Sequence, residues 1–588
     1  MTTSTTIPTP ATPDVCTIAV LVDGTEISGQ FHVLTVSVTR ELNRIPTAVI
    51  QLLDGEASKA TFEASNSNNF IPGKKIEIQL GYRSKNNSVF KGIVVKHSIK
   101  VRKNGSLLII ECRDEAVKMA QTARCKYFAD KKDSDIMEEI IGYYQLQKDV
   151  ESTTPALKEV TQFNSTDWDF LMCRAEANGQ VVVVIDGKVK VATPVPGNSP
   201  VVSVRYGDTL LELDAEIDAR RQSKGIKASS WNPADQKVVE VEAKEPPSTN
   251  DGNLSPSNLA GVVNDGAQRI LHGGKLTEPE LQTWADGRLL KERLAKVRGR
   301  VKFQGFAGIS PGDTIEATGI GERFEGNMYV SGVRHTVAGG NWETDVQFGL
   351  VTELFAETYN QRPLPASGLL PAASGLQIGV VTALENDPDG EDRIKVRIPL
   401  IDDAEDGLWS RIATLDAGNS RGTFFRPEIG DEVVVGFLSD DPRHPVVLGM
   451  CHSSAKPAPE SAKDTNHRKG YVSREKMQFI FDDEKKVIVL ETPGGNKVTL
   501  SDDAKGIVLE DQNGNKIILD DNGIKIESSK DISLKASGDI KMEGMNLDLK
   551  AQTGLKAAGT ATAEVSGANT TIKGSATTVI QGGMVQIN

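Results

Sequence analysis

The sequence predicts three successive architectures: an α+β body, a small Greek-key barrel of the OB type, and a C-terminal needle in which strands of three identical chains intertwine as a β-helix or β-prism. Three observations carry this prediction. After Phe481 there is no aromatic residue, Cys, His or Arg, and after Pro493 no Pro, so about a hundred residues lack the side chains of an ordinary globular core. Those same residues alternate apolar and polar in short strokes, the signature of strands with one buried face. Two stretches rich in Pro, Ala and Ser, residues 362–374 and 452–464, separate segments of different texture.

The needle is the most informative segment. KVTL at 497–500, GIVL at 506–509, KIIL at 516–519 and GIKI at 523–526 are its clearest strokes, and GNKV at 495–498 returns as GNKI at 514–517, nineteen residues on. The repeating unit is a strand pair. From Asp531 the period tightens to about eight (DISLKASG, DIKMEGMN, LDLKAQTG), an even number that keeps one face inward in every repeat. Strands with one or two small apolar side chains each bury too little alone and expose two edges, so the chain needs partners like itself. Three copies about one axis, a homotrimer, turn the stripes into a slender core. On this reading Ile518 points to the axis and Lys516 lies one face away. A single-chain β-solenoid fits less well, since its coils are wider and its core residues bulkier.

The first region, residues 15–360, mixes strands such as KKIEIQL at 74–80 with a few helices. Asp133 or Ser134 starts one helix, and Thr277 with Glu280 forms a capping box, with Pro279 in the first turn ahead of Leu281, Trp284, Leu290 and Leu294. A linker over 361–375 leads to the barrel over 376–452, where β-branched runs are closed by the turns DPDG at 387–390 and DDP at 440–442. A second linker, 453–470, leads to the needle, 471–588.

The barrel and needle together resemble the VgrG and phage spike family. The resemblance rests on GVVT at 379–382, RIKVRIP at 393–399, WSRIA at 409–413, and above all FRPEIGDEVVVGFL at 425–438 followed by DPRHPVVLG at 441–449. STDWDFLMCRAE at 165–176 is similar to a helix of that family's tail-hub domain, and Trp168, Leu171, Met172 and Ala175 share one helical face there. FKGI at 90–93 and PGD at 311–313 are weaker marks. The resemblance implies a hub of two tube-like β-barrels per chain, an OB collar and the needle. It also implies partners: an inner-tube (Hcp-like) protein and baseplate proteins at the hub, a PAAR-like cone at the tip, and effector cargo. A protein of this kind is assembled in the cytoplasm and then leaves with a secreted or released contractile particle.

The tip follows from the same reasoning. The last strands of a stacked prism leave edges and apolar side chains without a next layer, and a partner covers them. Val579, Ile580, Met584, Val585, Ile587 and Asn588 are therefore expected to form a flat apolar platform for the cone, and MVQIN at 584–588 resembles the blunt family ending.

Other function classes find little support. Net charge is −13, so nothing attracts nucleic acid or an anionic membrane, and no apolar run approaches a membrane span. Residues 1–13, rich in Thr and Pro, lack a signal-peptide pattern and read as part of a disordered tail, 1–14. Five cysteines, Cys16, Cys112, Cys125, Cys173 and Cys451, contain no C-x-x-C pair and read as reduced structural thiols. Asp167, Asp169 and Glu176 read as a solvated helix end, Cys451 with His452 and His444 lacks a ligand pattern, and Gly319-Ile320-Gly321 reads as a turn. No catalytic, metal or cofactor-binding residue is assigned. A hydrolase domain needs on the order of 100 residues, and about twenty separate Met450 from Tyr471. The expected protein is not an enzyme. The alternative, a phage-type adhesin that binds or degrades glycans, calls for aromatic sugar sites that this shaft lacks.

Overall fold

A computed structural model describes residues 5–6, 15–248, 251–263 and 266–587. The chain is mostly β and divides into two compact units, one of residues 1–377 with 408–411 and 435–447, the other of residues 378–407, 412–434 and 448–588. In the first unit, fourteen strands form one hydrogen-bonded sheet. The long strand Gly326–Ala338 is its junction, pairing antiparallel with Val33–Glu41, Thr314–Thr318 and Asn341–Phe348. The sheet encloses two apolar cores. Ile50, Leu80, Phe90 and Ile110 centre the first, and Val301, Phe303, Ile315 and Val346 the second. The tube-like barrels expected of the hub are not seen as closed barrels here: the described residues of this unit show two cores on one continuous sheet. Of the N-terminal tail, Thr5–Thr6 lie parallel to Val202–Arg205, and the rest falls outside the described residues.

Two helical additions carry cores of their own. Helices Asp133–Tyr143 and Asp167–Ala177 pack on the sheet of Val181–Ile185, Lys188–Ala192 and Gln147–Val150, with Ile136, Met137, Leu171 and Met172 inside. Thr166 caps the second helix by accepting from the Asp169 N–H at 3.0 Å, and Trp168, Leu171, Met172 and Ala175 are buried along its expected face. The helix Glu278–Leu294 begins with the anticipated capping box: Thr277 N–H donates to Glu280 Oε2 at 2.8 Å and Glu280 N–H to Thr277 Oγ1 at 3.4 Å. Leu281, Ala285 and Leu289 then seal it against the strands Ile226–Asn232 and Lys237–Glu242. Gly319 and Gly321 sit in a turn at φ 72° and 86°, where glycine is favoured, as the sequence predicts.

The barrel closes with strand order Gln377–Ala383, Ile394–Arg397, Leu408–Ile412, Pro445–Met450, Glu432–Phe437. Its 387–390 turn is held by Asp387, whose carboxylate accepts from the N–H groups of Asp389, Glu391 and Arg393 and from the Arg393 guanidinium. That guanidinium holds the Asp387 carboxyl far below the usual carboxylate range. The segment 361–375 is anchored: Ala366 is buried in the turn Pro365–Gly368, and Ala373 N–H donates to Asp440 O at 2.9 Å.

Candidate assembly surfaces of the needle

Seven strands, Arg468–Val472, Gln478–Asp482, Val487–Glu491, Lys497–Ser501, Gly506–Glu510, Lys516–Asp520 and Gly523–Glu527, run as an antiparallel meander. The nineteen-residue repeat is visible as matched turns. Thr492 N–H donates to Asn496 O and Gly495 N–H to Thr492 O, while Asp511 N–H donates to Asn515 O and Gly514 N–H to Asp511 O. Gly495 and Gly514 occupy equivalent positions at φ 92° and 85°, which side chains resist.

Residues paired across antiparallel strands share a face, so the register assigns every side chain. One row runs Phe479, Leu490, Val498, Leu509, Ile517, Ile526, and beside it run Phe481, Ile488, Leu500, Ile507, Leu519, Ile524. All twelve are apolar. The opposite face carries Ile480, Val489, Thr499, Val508, Ile518 and Lys525, bordered by the ladder Gln478, Glu491, Lys497, Glu510, Lys516, Glu527. Lys497 pairs with Glu491 at 3.3 Å and Lys516 with Glu510 at 2.8 Å. This corrects the expected separation of Lys516 from Ile518. Ile518 lies two residues from Lys516 and therefore on the same, charge-bordered side, whereas Ile517 and Leu519 belong to the apolar face. The doubled Ile-Ile of KIIL obscures the parity, which the neighbouring strokes fix.

The apolar face is open in the single chain. Leu490 is 46% exposed, Leu509 40% and Ile524 74%, while Ile480 on the other face is 5% exposed. Beyond Glu527 the described residues form no strand, so the eight-residue strokes remain unpaired in one copy. Val579, Ile580, Met584, Val585 and Ile587 are all exposed there, and Asn588 lies outside the described residues. No buried cluster among the described residues includes them.

The carboxylates of the 167–176 helix are corrected as well. Asp167 is buried and accepts from Tyr144 Oη at 2.7 Å and Gln162 Nε2 at 2.8 Å, with Arg124 Nε 3.2 Å away. Glu176 takes Lys291 Nζ and the Phe355 N–H, both at 2.7 Å. They join elements distant in sequence, which a helical wheel cannot reveal. Among the described residues no group of three His, Cys, Asp or Glu is placed to hold a metal ion. All five cysteines are free of disulfides: Cys16 and Cys112 are core residues, Cys173 is half-buried, and Cys125 and Cys451 are exposed, with Cys125 Sγ accepting from the Asn164 N–H at 3.3 Å. No helix among the described residues is long and apolar enough to cross a membrane.

Comparison with known proteins gives three family matches in chain order. Residues 12–339, more than half of the chain, match the Alg8 N-terminal domain, residues 377–452 the type VI secretion system/phage-baseplate injector OB domain, and residues 487–588 the phage baseplate V C-terminal trimerisation domain. The type VI secretion system spike protein VgrG1b of Pseudomonas aeruginosa is 26% identical over 30% of this chain and 25% of its own length. Spike protein VgrG4b of the same organism is 37% identical over 15% of this chain and 12% of its own. The chain thus spans a quarter or less of these curated relatives. A tail protein from Neisseria meningitidis superposes with a TM-score of 0.43 at 14% identity, over 57% of this chain and 96% of that one. With an Alg8 N-terminal domain over most of its first unit, then an injector OB domain and a baseplate V trimerisation domain, the chain resembles the VgrG spike proteins and belongs to the Alg8 N-terminal domain family.

Proposed function

We propose that three copies of this chain form the central spike of a contractile injection apparatus, joining inner tube and baseplate to a puncturing tip. The observation that carries the reading is the needle face of twelve apolar side chains, open in one copy and lying mostly within the matched trimerisation domain. Covering half-exposed side chains of this size contributes on the order of 1 kcal/mol each, so three such faces turned to one axis supply a core that the single chain lacks. The strokes after Glu527 find their strand partners in the other two copies, which completes an intertwined β-helix or prism.

The first unit then serves as the hub, two β cores per chain giving six positions in the trimer to meet an Hcp-like tube ring and the baseplate. The tip platform of Val579, Ile580, Met584, Val585, Ile587 and Asn588 takes a PAAR-like cone by strand continuation, and effector cargo travels with the assembly. The work asked of the protein is stiffness and attachment, with no bond made or broken. It assembles in the cytoplasm and leaves with the particle. Light scattering on the intact protein tests the reading: a mass about three times 63.3 kDa is expected, and a monomer at micromolar concentration overturns it.

A further inference from the structure

The trimerisation domain is matched from residue 487, yet the apolar row of the needle does not begin there. Leu490 pairs with Phe479, and Phe479 with Tyr471 in the first strand, so the same face continues sixteen residues upstream of the matched domain. It does not stop at Tyr471 either. The Tyr471 ring lies 4.7 Å from that of Phe425, a residue of the barrel's connecting loop. Two ion pairs fasten this loop to the needle's entry: Arg474 reaches Glu428 at 3.0 Å and Lys456 reaches Asp431 at 3.0 Å. The loop is therefore held in register with the first needle strand.

What the fastened loop presents is apolar. Phe424 is 81% exposed, Phe425 58% and Ile429 64%, and a soluble surface seldom clusters three large apolar side chains within six residues unless a partner covers them. The charged residues of the same loop face the opposite way in function: Glu428 and Asp431 are engaged within the chain. Continuity with the needle face identifies the occupant. We infer that the surface formed by Phe424, Phe425, Ile429 and Tyr471 docks a second copy of this chain, so that the interface of the needle extends upstream onto the collar loop. This rests on the trimeric reading above. The collar would then set the rotational register of the three copies at the mouth of the shaft, where aromatic side chains are still available, before the aliphatic rows take over.

The test uses the full chain. Phe425→Asp and Tyr471→Asp should each raise the protein concentration for half-dissociation of the trimer in guanidinium by on the order of a hundredfold, since every copy would carry an unpaired charge into the interface. Hydroxyl-radical footprinting of the unmodified trimer supplies the second measurement. Phe425 and Tyr471 should be oxidised several-fold more slowly than Tyr127, which is 85% exposed, and as fast as Tyr127 in a monomer obtained with Leu509→Asp. A trimer whose dissociation is unmoved by both substitutions, with Phe425 and Tyr471 oxidised at the Tyr127 rate, overturns the collar surface and leaves the trimeric spike standing. A monomeric wild-type protein overturns both.

Discussion

Arg174 lays its guanidinium flat against Asp133, Nε to Oδ1 and Nη2 to Oδ2 at 2.7 Å each, and so bolts the helix Asp167–Ala177 to the start of the helix Asp133–Tyr143. Asn178 Nδ2 adds a third donor to the same carboxylate at 2.8 Å. With Asp133 buried and Arg174 a quarter exposed, Asp133→Ala leaves a cation and an amide short of acceptors, at a cost of about 3 kcal/mol. Guanidinium unfolding followed by circular dichroism should register that loss in the first unit. An unchanged midpoint would show that solvent replaces the carboxylate.

The two faces of the needle are distinguished by adjacent residues. Ile517→Asp sets a carboxylate into the apolar rows of all three copies and should abolish the trimer at micromolar concentration. Ile518→Asp falls on the face bordered by Lys516 and Lys525 and should leave the trimer assembled. Light scattering on both variants decides the matter, and equal behaviour would argue that the register does not govern assembly.

His335 gives the first unit an acid sensitivity. It is buried, with Nδ1 3.1 Å from Thr344 Oγ1, and burial, assisted by the nearby Arg40 cation, holds its imidazole down to about 3. An unfolded chain titrates histidine near 6.5. Between those values the unfolded state binds a proton that the folded state refuses, so this contribution is whole above about pH 6.5 and is lost as pH falls toward 3. His335→Gln should remove one proton's worth of the slope, about 1.4 kcal/mol per pH unit, below pH 6. Thermal melts of both proteins from pH 7 to pH 4 provide the comparison.

At the tip, deleting residues 584–588 should abolish capture of a PAAR-like cone in a pull-down while light scattering still reports a trimer. Capture at wild-type affinity by the truncated protein would remove the platform from these residues.

Much of the fold is legible in the sequence because local chemistry speaks for it. The capping box of Thr277 and Glu280, the single face of Trp168, Leu171, Met172 and Ala175, and the GNK turns all depend on neighbours within a few residues. The missing parts depend on distance. Asp167 looks solvated on a helical wheel, yet Tyr144, Gln162 and Arg124 close over it from other elements. Parity at Ile518 needs the register of six strands, since Lys-Ile-Ile-Leu read alone permits either face. The barrel loop failed to announce itself for the same reason: Phe425 acquires meaning only beside Tyr471, forty-six residues away.

The matched turns at Gly495 and Gly514 make the length of the shaft a discrete variable. Removing residues 495–513 excises one strand pair and rejoins equivalent turns, so every remaining side chain keeps its side and the needle shortens by roughly 10 Å. Losing one residue inside a strand instead inverts the sidedness of that strand. A lineage can therefore change the length of this seven-stranded stretch in whole steps, by unequal exchange between copies of one short cassette, without turning any remaining strand over.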